Sequence, residues 1–487
     1  MKKILLLICV FGFLTNSFAK GYKIQASVDG LKDTFLLLGY YFGDKKYVVD
    51  TAQLNSQGIG VFEGDSLLNG GIYLVLTPSY RYFELILDKD QEFGFETDTS
   101  NLFKKITFKG SDDNIVFNKY QLFTAEMQKN KAPLIKNYRD NLKIKDSVGI
   151  SDKDKKKAEE EIKKVKSQID ELDKQIKAYE DSLLGKYPEN LLSSVLKIMR
   201  EIEIPDYPRN EKGEITDSLF KYRYLTTHYF DNFNFGDRRL LRTPVFQPKI
   251  DDYLDNQIIQ IPDSIIVEVD KIITLAKADA EIYKFLVHHL FMKYQNPKIM
   301  GLDNIFVHIA EKYYLSGEAY WAKSDTAFMN KVKDRYDKMR YNQVGKPSVD
   351  MTTFNLGYFW QKLHSINAEY IVLYFYEPSC GHCKKTIPKW HELYVENKLK
   401  EKGVESVLFY TQADTVEWRA FINQHKLTDC INVFDPYQNT NFRTFYDIYS
   451  TPVSYVLDKK KNIIAKRIPP ETIIDLLNRR LEAVKPE

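Results

Sequence analysis

Tyr370-Ile371-Val372-Leu373-Tyr374-Phe375-Tyr376-Glu377-Pro378-Ser379-Cys380-Gly381-His382-Cys383 is the stretch from which the fold of the C-terminal part can be read. Its first seven residues are apolar, aromatic or β-branched without a break, which predicts a buried strand. Beyond the second cysteine, Ile387, Trp390, Leu393 and Tyr394 recur at helical spacing within Lys384–Lys398. The two cysteines are therefore expected on a strand-to-helix turn, with Cys380 near the helix N-terminus. Unpaired backbone N–H groups and the helix dipole favour a thiolate at that end, so Cys380 is expected to be the nucleophile of the pair. Gly381 lets the chain approach closely. His382 is expected to place partial positive charge beside the Cys380 sulfur, lowering its pKa and stabilising the reduced form.

Outward from this stretch, a new pattern starts at Gly345-Lys346-Pro347 and runs to the C-terminus. Val404–Tyr410 predicts a second strand, Thr415–His425 a helix, Ile431–Phe434 a short strand and Thr440–Tyr446 another helix. Val453–Leu457 and Ile463–Ile468 predict a hairpin across Asp458–Asn462, closed by a helix over Glu471–Ala483. Strands alternating with helices imply a mixed sheet covered by helices, an α/β domain over 343–487.

In three elements this domain resembles the thioredoxin superfamily. They are Cys380–Cys383 at a strand–helix junction, Pro388 five residues past the second cysteine, and Thr451-Pro452 at the start of the closing hairpin. The Gly345-Lys346-Pro347 start, a helix expected around Phe354–Ile366 and an export leader look like the TlpA-like periplasmic branch. The resemblance implies a cis bond at Thr451-Pro452 and a substrate-docking role for both residues, through the backbone of Thr451. Cys-Gly-His-Cys is similar to the centre of protein disulfide isomerases, which implies an oxidising or isomerising pair. Three positions depart from the family. Tyr374 stands where thioredoxins carry a buried carboxylate, Thr386 where cytochrome-maturation reductases carry a glutamate, and Ser379 where a tryptophan usually precedes the first cysteine. Glu377, the nearest acidic residue in sequence, reads as a solvated loop side chain. A peroxiredoxin pattern is absent, since Leu373 and Glu377 hold its proline and threonine positions.

The rest of the chain divides by pattern. Short alternating runs from Tyr22 to Phe108, punctuated by Gly30, Gly43-Asp44, Asn69-Gly70-Gly71 and Asp88-Lys89-Asp90, predict an all-β sandwich or barrel over 20–112. Ala158, Ile162, Val165, Ile169, Leu172, Ile176, Tyr179 and Leu183 alternate by four and three, a heptad seam on one long helix. Its expected partner is the helix from Asn114 to Lys145, giving a long helical hairpin over 113–187; a dimeric coiled coil is the alternative. Residues 188–342 read as all-helical, interrupted by Pro205, Pro208, Pro244, Pro248 and Pro262. His288, His289 and His308 there read as satisfied or solvated rather than as metal ligands.

The chain of 487 residues carries a formal charge of +3, which gives no case for a nucleic-acid partner. Residues 1–19 read as an export signal, with Lys2 and Lys3, an apolar run from Ile4 to Leu14 and Ser17-Phe18-Ala19 as the cleavage region; an uncleaved anchor is the other reading. Cys9 lies inside that run, so Cys380, Cys383 and Cys430 are the thiols of the expected mature chain. So few cysteines exclude a disulfide framework and leave the close pair to chemistry. Cys430 reads as a buried strand-edge residue. No second Cys/His pair stands at zinc-ligand spacing, so neither a metal nor another cofactor is expected. The expectation is thus a periplasmic thiol–disulfide oxidoreductase with catalytic Cys380 and Cys383, slightly favouring an oxidant or isomerase. It would act on cysteine-containing exported proteins and be recharged by an unidentified redox partner. The alternative is an envelope scaffold in which this domain is auxiliary.

Overall fold

The computed structural model describes residues 21–483, and its contacts divide the chain into two units between Ile258 and Ile259. The helical segment expected as one region over 188–342 is therefore shared between the units.

In the first unit, every expected strand forms: β1 (Tyr22–Asp29), β2 (Thr34–Phe42), β3 (Lys45–Leu54), β4 (Ile59–Gly64), β5 (Gly71–Leu76), β6 (Tyr82–Leu87), β7 (Glu92–Asp98) and β8 (Thr107–Lys109). They make two four-stranded sheets, β4-β1-β7-β8 and β3-β2-β5-β6, so the domain is a sandwich rather than a barrel. Alternation sets the facing: Ile24, Ala26 and Val28 of β1 are buried while Lys23 and Gln25 are exposed. The inner faces share one core that includes Leu36, Leu38, Phe62, Leu85 and Phe95.

Two long helices follow, α1 (Asp112–Lys145) and α2 (Asp152–Lys186), capped by the Ser111 and Ser151 side chains. They run antiparallel: Phe123 packs on Tyr179, Asn137 bonds Glu161, and Lys131 pairs with Asp173. The seam thus has an intrachain partner. Two helices close it only in part, leaving Ala158, Val165 and Leu183 buried and Ile162, Ile169, Leu172 and Ile176 half-buried. Three shorter helices complete the unit: α3 (Leu191–Met199), α4 (Phe220–His228) and α5 (Phe246–Asp252). Residues 200–219 are not helical, contrary to the all-helical reading. Pro205 and Pro208 lack the N–H a helix needs, and a small β-bridge joins Arg209 to Ile215 around Gly213 (φ +80°).

In the second unit, α6 (Pro262–Ala276), α7 (Ala280–Lys293), α8 (Asp303–Ile309) and α9 (Thr326–Met339) bury Ile265, Val269, Ile272, Leu286, Leu290 and Ile305 completely. The α/β domain then contains β9 (Thr352–Asn355), β10 (Trp360–Lys362), β11 (Tyr370–Tyr376), α10 (Cys383–Glu396), β12 (Val404–Tyr410), α11 (Thr415–Gln424), β13 (Ile431–Phe434), α12 (Phe442–Phe445), β14 (Val453–Asp458), β15 (Ile463–Lys466) and α13 (Pro470–Ala483). Its sheet order is β10-β9-β13-β12-β11-β14-β15. The central strand β11 runs parallel to β12 and antiparallel to β14.

Its unbroken apolar run is explained by burial on both faces. Val372, Tyr374 and Tyr376 pack with Ile387 and Trp390 of α10 and Leu477 of α13. Ile371, Leu373 and Phe375 pack with Phe442 and Tyr446 on the other side. The helix expected around Phe354–Ile366 is instead the β9–β10 hairpin. The Asn355 side chain accepts from the Gly357 and Phe359 N–H groups, and Phe354 stacks on Trp360 across the strands.

Candidate active site

The loop after β11 delivers Cys380 to the start of α10. Its N–H donates to the Glu377 carbonyl at 3.1 Å, and its carbonyl accepts from Lys384 N–H at 3.1 Å, so the first helical turn begins at this cysteine. The Cys380 thiol is half-buried and donates to the Thr451 carbonyl at 3.2 Å. Cys383 lies fully buried in the core beneath the turn, and the Glu377 N–H donates to its sulfur at 3.5 Å. Both thiols are free, and the Thr451-Pro452 bond is cis.

The two sulfurs are in opposite electrostatic situations. Burial opposes ionisation of Cys380, but hydrogen bonds from the Cys383 N–H and thiol, the His382 N–H and the contact at Thr451 outweigh it and hold its pKa below the usual cysteine value. Burial dominates at Cys383 and pushes its thiol up to about 12. The arrangement can therefore present one ionised, reachable sulfur and keep a protonated one in reserve behind it.

Of the residues expected to act here, Cys380, Cys383, Thr451 and Pro452 converge. Gly381 and His382 are exposed between the cysteines. His382 meets the Cys380 sulfur through its backbone N–H rather than through the partial positive charge expected of its side chain. Tyr374, at the family's carboxylate position, is buried beside Trp390 and opposite Ser454, and burial raises its phenol above the usual range. It stays protonated and supplies no anionic base. Glu377 corrects another expectation. It is half-buried, and its carboxylate accepts from the Thr411 hydroxyl at 2.9 Å. Thr411 follows the end of β12, a position linked to the motif only by strand pairing.

Elsewhere, His308 Nε2 sits 2.9 and 3.0 Å from the two Asp270 carboxylate oxygens, and His288 Nδ1 lies 3.4 Å from the Tyr314 hydroxyl. Cys430 is buried immediately before β13, as expected. The expectation of no metal-ligand cluster meets a different finding. The fold brings His391, Asp429 and Cys430 together, with their ligand atoms all within 4.8 Å of one another.

Residues 367–463 match the model of a family described as thioredoxin-like, and residues 151–342 that of a domain of unknown function, DUF5106. No curated protein matches the chain at a significant level. Among solved structures, a domain of a possible thiol-disulfide isomerase from Cytophaga hutchinsonii is 34% identical; the match covers 29% of this chain and 95% of that one, with a TM-score of 0.27. A thioredoxin-like protein from Bacteroides caccae is 19% identical, over 59% of this chain and all of its own, with a TM-score of 0.42. A thiol:disulfide interchange protein from a Bacteroides species is 20% identical, over 29% of this chain and 92% of its own, with a TM-score of 0.27. Among the described residues, no helix is long and apolar enough to cross a membrane; the expected export signal at 1–19 lies outside them.

Proposed function

The C-terminal domain of this chain, through residues 367–463, belongs to the thioredoxin-like family, and from that premise we propose that the protein is a thiol–disulfide oxidoreductase working through Cys380 and Cys383. The observation that carries this reading is the inequality of the two sulfurs. Cys380 is partly exposed with a lowered pKa, and Cys383 is buried with its thiol raised to about 12.

The Cys380 thiolate attacks one sulfur of a substrate disulfide, forming a Cys380–substrate disulfide and releasing the other substrate sulfur as a thiolate. Cys383 then attacks the Cys380 sulfur. The Cys380–Cys383 bond forms, the mixed disulfide breaks, and the departing substrate thiolate takes up the proton that Cys383 loses. The protein is oxidised by two electrons and the substrate reduced; the reverse sequence delivers a disulfide. Thr451 and Pro452 face this chemistry, and the Thr451 carbonyl, already an acceptor for Cys380, is suited to holding the backbone of an extended substrate.

Stabilising the Cys380 thiolate favours the dithiol over the disulfide, which makes the pair a better oxidant. We therefore favour disulfide donation or isomerisation in the periplasm, acting on exported proteins that carry cysteines. A reduction potential at or below roughly −270 mV, that of thioredoxin, would reverse the direction. Cys380→Ser should abolish insulin-disulfide reduction, and Cys383→Ser should accumulate mixed disulfides whose partners can be identified. Retention of full activity by Cys380→Ser would overturn the reading.

A further inference from the structure

We propose that His391, Asp429 and Cys430 form a metal site of the zinc class, separate from the Cys380–Cys383 pair. His391 lies eight residues along α10 from Cys383, on the order of 12 Å along the helix axis. Cys430 precedes Ile431, which pairs with Val407 at the middle of β12, whereas the redox pair follows the end of β11. The inference is independent of the redox reading and uses neither of that site's sulfurs.

Three observations carry it. The first is the donor set. One imidazole nitrogen, one carboxylate oxygen and one thiol sulfur lie within 4.8 Å of one another, and N, O and S donors together suit zinc rather than magnesium or calcium. A surface ion pair accounts for His391 Nε2 at 2.7 Å from Asp429 Oδ1, but not for a thiol within reach of both.

The second is preorganisation. Asn432 Nδ2 donates to the Leu427 and Cys430 carbonyls at 2.7 and 3.0 Å, and Lys400 Nζ donates to the Asp429 carbonyl at 2.9 Å, fixing the turn that carries two of the ligands. On the helix side, the Trp390 indole N–H donates to the Ser406 hydroxyl at 3.0 Å, holding α10 beside the strand next to Cys430. The third is access. Cys430 is buried, but the Asp429 side chain is 42% exposed, so a small ion can reach the sulfur where a protein substrate cannot.

On binding, Cys430 and His391 lose any protons they carry to solvent, and the thiolate and carboxylate neutralise the dication. Three protein ligands leave a fourth position for water. The ion would clamp α10 to the start of β13.

The test uses the untagged full chain carrying Cys380→Ser and Cys383→Ser, which removes the other dithiol. Titration with cobalt(II) should give the visible bands of tetrahedral coordination and a thiolate-to-metal charge-transfer band at one equivalent, displaced by zinc. Adding Cys430→Ser should abolish the charge-transfer band. Because Cys430 is buried, Asp429→Asn and His391→Gln at the accessible edge provide a second arm; each should weaken zinc binding at least tenfold, measured with a competing chromophoric chelator. Absence of the charge-transfer band, or zinc affinity unchanged by Asp429→Asn and His391→Gln, would overturn the proposal.

Discussion

Between Cys380 and Cys383 the backbone passes from loop into helix, and each sulfur meets a different field. Cys380 receives the N–H groups of the opening turn, while Cys383 is enclosed by Tyr376, Ile387 and their neighbours. Alkylation of the reduced protein should therefore titrate Cys380 below the free-cysteine value. Cys383 should stay unmodified until the pH approaches 12. The lowered Cys380 pKa stabilises the folded dithiol above the ordinary cysteine pKa, and that contribution is lost as pH falls through the folded value. The raised Cys383 pKa acts oppositely, so the folded dithiol loses stability as pH climbs past the ordinary value. At His382 the backbone and the side chain can be separated. His382→Ala keeps the N–H and should leave the Cys380 midpoint within about half a pH unit, a difference under 1 kcal/mol. His382→Pro deletes the N–H and should raise it further; a larger shift from the alanine variant would restore the imidazole to the leading role.

At the scale of elements, strand and helix periods were readable wherever a segment carried one strong pattern. β11 and β12 occupy the expected residues, and the alternating runs expected from Tyr22 to Phe108 form the eight sandwich strands. The segment 354–366 misled because its aromatic residues fit either a helix face or a strand pair. The Asn355 turn and the Phe354–Trp360 stack, which decide for the hairpin, depend on the chain meeting itself. The heptad on α2 calls for a partner, and the expected intrachain helix before it supplies one as α1. An intrachain hairpin brings residues 131 and 173 together. Spin labels at Lys131→Cys and Asp173→Cys in a chain lacking its native cysteines should give a short distance that survives dilution with unlabelled protein. A distance that disappears on dilution would instead indicate the dimeric coiled coil.

Over the second unit as a whole, the helices α8 and α9 and the thioredoxin-like domain are tied by buried charges. Lys466 Nζ lies 2.5 Å from Asp303 Oδ2 and 2.9 Å from the Asn342 carbonyl, with both side chains of the ion pair nearly out of solvent. Arg335 and Arg467 grip Asp447 at 2.7 and 2.8 Å, just ahead of the Thr451-Pro452 loop. Burial lowers the Lys466 pKa, so its charge depends on Asp303. Asp303→Ala should cost about 3–5 kcal/mol in chemical denaturation, and Asp303→Ala with Lys466→Met should recover much of it. A loss below about 1 kcal/mol would mean that the pair is effectively solvated. The strands, the heptad helix and the placing of two cysteines on a strand-to-helix turn came from sequence alone, because each is written in a period of a few adjacent residues. The Glu377–Thr411 bond, the His391–Asp429–Cys430 cluster and the hold on Asp447 came only from the tertiary structure. Each joins residues far apart in the chain, whose proximity is set by strand order and helix packing and leaves no mark on local pattern.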